Sequence, residues 1–180
     1  METTERTNSP YPNIPPAIES NDGDYRDSGI PSTLAIAGHP IHPVIVTLPI
    51  AFLVGALGSD VAYWITTDFF WAKASMWLIG VGFVSGILAG ITGMFDFFNI
   101  KRVRDRSAGW LHMAGNIVAL VLTLINWLLR MGNPELSIVP WGLALSAIVG
   151  VLLGVTGWFG GELTFRHKIG AIGTTREMQS

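Results

Sequence analysis

Four long apolar runs between residues 44 and 161 decide what this chain can fold into. The first, Val44 to Trp64, carries one charge, Asp60. The second extends from about Trp71 to Phe98 and is uncharged from Ala74 to Phe95. The third is Trp110 to Leu129 and the fourth Val139 to Gly161. Each has the roughly 20 residues a helix needs to cross a hydrocarbon layer about 30 Å thick. Lipid offers no partner to a bare peptide group, so helices are the expected conformation. A soluble core does not call for four such runs in 180 residues. The fold class expected is therefore all-α: an integral membrane antiparallel four-helix bundle, with helices near 44–64, 72–98, 109–130 and 139–162. Only 13% of the residues are charged, against roughly 25% in an average soluble domain.

The flanks have another character. Residues 1–33 hold five of the ten prolines and six of the thirteen acids. With so little apolar surface to offset ordering entropy, residues 1–35 are expected to be a disordered acidic tail. They contain no basic start followed by an apolar run, so no signal peptide is read there. Residues 36–172 form the expected membrane domain and 173–180 a short tail. The N-tail, the second loop (Lys101, Arg102, Arg104, Arg106) and the C-tail fall on one side and carry nine of the eleven Lys and Arg residues. Lys73 and Arg130 fall on the other. Positive charge collects on the cytoplasmic side, so both chain ends are expected in the cytoplasm of a bacterial inner or internal membrane. The net charge of −2 gives no sign of nucleic-acid binding. With no Cys, disulfides and thiolate metal sites are excluded.

Two kinds of stripe mark the helices. Gly82, Gly86, Gly90 and Gly93 line one side of the second, and Gly150, Gly154, Gly157 and Gly161 one side of the fourth. Small residues at this spacing allow close helix contact in lipid, or room beside a flat cofactor. The third helix carries His112, Asn116, Ala119, Thr123, Asn126 and Arg130, spaced 4, 3, 4, 3 and 4. At 100° per residue these stay within about 40° of one line. A polar line in an apolar helix must face protein or water, as interhelical hydrogen bonds or as a cofactor or ion route.

Topology brings all four histidines to one side. His39 and His42, in GHPIHP, precede the first helix, His112 opens the third, and His167 follows the fourth. Asp96 and Glu162 end the second and fourth helices on that side. Neutral imidazole suits haem iron, Zn, Cu or non-haem Fe, and carboxylates serve as ligands or orient a ring. Proton or ion carriage through Asp60 and Asn126 is one reading, and three others stand. His112 with one of His39, His42 or His167 supplies a pair of ligands to haem b, or His39, His42, His112 and Asp96 hold a transition-metal ion (Fe, Zn or Cu). In the third the polar layer is structural, as in an accessory subunit docked on a larger membrane complex. Asp60, Asn116, Asn126 and Glu162 are the other polar residues within the membrane part, and Asp60 has Lys73 or Arg130 as candidate partners. No GxSxG, P-loop, HExxH or strand-borne GxGxxG motif is present, which disfavours a conventional hydrolase or kinase.

The blocks GHPIHPVIVTLPIAF with Asp60, GITGMFDFF around Asp96, GWLHMAGN with His112 and GGELTFRHKIG occur in an order that resembles the bacterial membrane family termed domain of unknown function 2231. The resemblance covers about residues 36–172 and implies a four-helix membrane domain. Some relatives look fused to Rieske-type iron–sulfur domains, which implies redox chemistry and, for this chain, a separate electron-transfer partner. It implies no assigned activity.

Overall fold

A computed structural model describes residues 30–173; the expected tail through residue 29, and the residues after 173, lie outside the described residues. Four helices are long and apolar enough to cross a membrane: α1 (Ile41–Thr66), α2 (Phe69–Asn99), α3 (Ser107–Arg130) and α4 (Pro134–Arg166). The two turns at the far end are short and end in side-chain caps. Asp68 accepts a hydrogen bond from the Phe70 amide at 2.9 Å, and Asn133 accepts one from Leu136 at 3.4 Å. These caps start α2 and α4 earlier than apolar character alone indicates. α4 is regular only over Leu143–Gly161. Val139, where the sequence places its start, is extended (φ −105°, ψ 129°), as expected for a residue before proline.

α1 packs mainly along α2, and α3 along α4, with less contact between the two hairpins. The buried face of α1 includes Pro49, Leu53, Ala56 and Asp60. That of α3 includes Ala119, Thr123, Asn126 and Arg130. The steps of three and four residues are those of one helix face. Val54, Leu88, Val121, Leu128 and Val151 point outward, each about half exposed or more. A chain of this kind places such side chains against lipid. Trp64 and Trp141 are exposed near the far end, and Trp110 and Trp158 near the other, as interfacial aromatic residues are.

The end opposite those turns, here termed the basic face, is closed by polar segments. One helical turn, Lys101–Arg104, joins α2 to α3 and is held by a Lys101–Asp105 ion pair at 2.7 Å. Beside it β1 (Ile30–Ser32) pairs in parallel with β4 (Ile169–Gly173), and β2 (Ala35–Ile36) pairs antiparallel with β3 (His39–Pro40). The β2–β3 turn uses Ala37 and Gly38, both at positive φ, as a two-residue hairpin requires. Residues 30–36 are thus ordered, although most of them fall in the stretch read as tail. Phe97, Ile100, Val103, Ala108, Leu163 and Ile169 form a small apolar core beneath them.

The glycine stripes differ in use. A Cβ at Gly82 would meet Leu53 at 2.7 Å, and one at Gly86 would meet Leu120 at 2.7 Å. The second helix therefore uses its glycines for close packing. On α4, a Cβ at Gly154 or Gly157 would meet nothing within 4 Å, so that part of the stripe makes no helix contact.

Candidate functional site

The polar residues of the membrane interior form two separate centres. The far one is a buried ion pair. Asp60 of α1 and Arg130 of α3 are both 0% exposed. Arg130 Nη1 donates to Asp60 Oδ1 at 2.5 Å, and Nη2 to Oδ2 at 2.7 Å. Ser75 of α2 donates to Asp60 Oδ1 at 2.5 Å, and Ser146 of α4 to Oδ2 at 2.6 Å. Arg130 Nε donates to Asn126 Oδ1 at 3.0 Å, and Asn126 Nδ2 donates to Ser146 Oγ at 3.0 Å. All four helices contribute. Both carboxylate oxygens and all three guanidinium nitrogens are engaged, the condition under which a charge pair survives burial. Of the two partners considered for Asp60, the structure selects Arg130. The α3 stripe is a set of interhelical hydrogen bonds here, and the site has little spare capacity to exchange an ion.

The second centre lies near the basic face. His42 of α1 and His112 of α3 come together with ring centroids 6.2 Å apart and ring planes at 89°. Each ring is oriented by the other helix of its own hairpin. His42 Nδ1–H donates to the Ala89 carbonyl at 2.9 Å, and His112 Nδ1–H donates to the Thr156 carbonyl at 2.8 Å. A carbonyl can only accept, so Nδ1 carries the hydrogen in each ring, and in the neutral ring the lone pair is on Nε2. Each ring also lies on a glycine. A Cβ on Gly93 would come within 2.7 Å of His42 Cε1, and one on Gly160 within 2.9 Å of His112 Cε1. Beside the second ring, Asn116 Nδ2 donates to the His112 backbone carbonyl at 2.7 Å and lies 3.4 Å from its Nδ1, and Thr156 Oγ1 donates to Asn116 Oδ1 at 3.3 Å.

The other residues proposed from sequence lie apart from this pair. His39 is exposed, and its Nδ1 bonds to the Ala37 carbonyl at 2.9 Å in its own turn. His167 is buried, with Nε2 3.8 Å from Glu162. Asp96 accepts hydrogen bonds from the Thr33 amide and hydroxyl, both at 2.7 Å, and from Ser32 Oγ. It therefore anchors the segment before α1. The set His39, His42, His112 and Asp96 does not converge. Among the described residues no three His, Cys, Asp or Glu side chains are grouped to hold a metal ion. Backbone carbonyls do the orienting assigned to carboxylates. Gly160, which seats His112, was missed because it stands one position off the α4 glycine stripe.

Two imidazoles bound to one metal at about 2.0–2.1 Å each would have ring centroids about 6 Å apart. A bare zinc ion needs three or four protein ligands, whereas haem iron needs only two axial ones. Two rings are the number that haem iron takes from a protein, and fewer than a bare zinc site needs. The best-formed cavities lie elsewhere. One of about 10 Å³ is lined by Leu53, Thr123, Asn126 and Ser146, among others, and an apolar surface recess of about 290 Å³ is lined by Ala147, Ile148, Val151 and Leu152.

Comparison with known proteins gives one result of substance. No curated protein and no solved structure matches the chain. The family model described as predicted membrane protein (DUF2231) matches residues 38–173, a range that contains all four helices and both polar centres. The chain belongs to this predicted membrane protein family, DUF2231.

Proposed function

We propose that the protein is a small membrane redox module in which His42 and His112 would hold a b-type haem. The observation that carries this reading is the pair of imidazoles 6.2 Å apart, each with Nδ1 tied to a carbonyl and Nε2 left as donor. Bound haem would supply one-electron chemistry. The residues of the chain have simpler tasks. Ala89 and Thr156 set the tautomer and tilt of the rings. Gly93 and Gly160 let the rings lie against the backbones of α2 and α4. The Asp96-anchored strands cover the basic face. By the bias of positive charge that face is cytoplasmic, so an electron-transfer partner would dock there. A second reading keeps the same rings but places a single transition-metal ion between them, with the remaining ligands supplied from outside the chain. Purified protein decides between them. A Soret band with about one iron per chain supports haem. Bound copper, iron or zinc without that band supports the ion. Neither chromophore nor metal would overturn both.

A further inference from the structure

We propose that the chain is two equivalent hairpins, α1–α2 and α3–α4, and that Asp60 and Arg130 are complementary halves of the surface by which one hairpin selects the other. The two hairpins repeat one another in their contacts, not in their side-chain chemistry. Asp60 and Arg130 are 70 residues apart, and so are His42 and His112. Three of the four buried positions between His42 and Asp60 correspond at the same offset: Pro49 with Ala119, Leu53 with Thr123, and Ala56 with Asn126, whereas buried Ser59 falls opposite exposed Leu129. The contacts between hairpins are reciprocal. A Cβ on Gly80 of α2 would strike Trp127 of α3 at 2.7 Å, and one on Gly150 of α4 would meet Leu57 of α1 at 3.3 Å. Gly80 corresponds to Gly150, and Leu57 to Trp127, at that same offset.

The outer elements follow the same plan. Each far-end turn ends in an Asx cap, Asp68 or Asn133. Each hairpin anchors its histidine on a carbonyl four residues before a glycine, Ala89 before Gly93 and Thr156 before Gly160. Both hairpins run in the same direction through the membrane, so the relation is a pseudo-twofold axis along the membrane normal, as in parallel transporter repeats. His42 and His112 face one another across that axis, and so do Asp60 and Arg130. Ser75 and Ser146 each hydrogen-bond to both charges. The equivalence is broken at the charges. Two copies of the first hairpin would oppose Asp60 to Asp60, and two of the second Arg130 to Arg130, so only the mixed pair neutralises itself. That is selection by repulsion of the wrong partner.

The inference does not depend on any bound metal, and its test uses the full chain. Asp60→Arg and Arg130→Asp each place like charges together. Each should shift the unfolding equilibrium by about a hundredfold or more. Exchanging the whole set (D60R, A56N, R130D and N126A) reverses the pair about the axis and should restore most of that loss. Differently tagged D60R and R130D chains, expressed together, should co-purify as a hairpin-exchanged dimer, because each then offers the charge the other needs. D60R chains with two tags should not co-purify. The proposal is overturned if the four-site exchange is no more stable than the single variants. It is also overturned if the mixed chains fail to associate, or associate no better than D60R with itself.

Discussion

Replacing Arg130 by Met leaves the Asp60 carboxylate in the protein interior with two serine hydroxyls and no counter-charge. The carboxylate loses its two charge-assisted bonds to the guanidinium, of 2.5 and 2.7 Å. At roughly 1.5–3 kcal/mol for each hydrogen bond to a charged group, the loss is about 3–6 kcal/mol. Breaking one partner of a buried pair costs about 3–5 kcal/mol, which agrees. Asp60→Leu should fall at the upper end. A carboxyl left alone can become neutral by taking a proton, whereas a guanidinium cannot lose its charge. The double variant Asp60→Leu with Arg130→Met removes both charges and retains apolar volume. It should lie within about 1 kcal/mol of the parent, or above it. Equilibrium unfolding of the purified protein in micelles with increasing SDS, followed by circular dichroism, measures all four corners of the cycle. The reasoning is refuted if either single variant costs less than about 1 kcal/mol, or if the double variant is as unstable as the two losses added.

Other variants separate the two centres and the strands that cover the basic face. His42→Ala and His112→Ala should each abolish the proposed chromophore or bound metal, whereas His39→Ala should retain it, as read from absorbance and metal content of the purified variants. Gly93→Ala and Gly160→Ala force a ring off its backbone support and should lower cofactor content several-fold, while the SDS midpoint moves far less than for Arg130→Met. Asp96→Ala removes the acceptor for Ser32 and Thr33. The segment before α1 should then be cut faster by protease, with a stability loss of about 1.5–3 kcal/mol.

The four spans were legible because hydrocarbon leaves a chain few choices: long uncharged runs, short turns and a basic loop. The His side was legible from topology, which brought His42 and His112 to one end although they are far apart in sequence. Which histidines meet was not, because that depends on helix rotation and on the carbonyls of Ala89 and Thr156, which no side-chain pattern displays. Sequence left Lys73 and Arg130 as equal candidates for Asp60, because both fall at the same end of the bundle. The burial of Arg130 follows only once α1 places Asp60 opposite, with Ser75 and Ser146 filling the remaining hydrogen bonds. Asp96 was drawn to a backbone amide and two hydroxyls of a segment whose composition suggested no structure. The duplication was hidden because the equivalent residues (Leu57 and Trp127, Asp60 and Arg130) share position but not chemistry.

The most direct test of the central claim is low-temperature electron paramagnetic resonance of the oxidised, purified protein, with His42→Ala and His112→Ala alongside. Two imidazoles on one haem iron give a low-spin ferric signal. That signal is expected in the parent protein and should be lost in both variants. A protein with no low-spin ferric signal, or with one that survives in either variant, contradicts the claim.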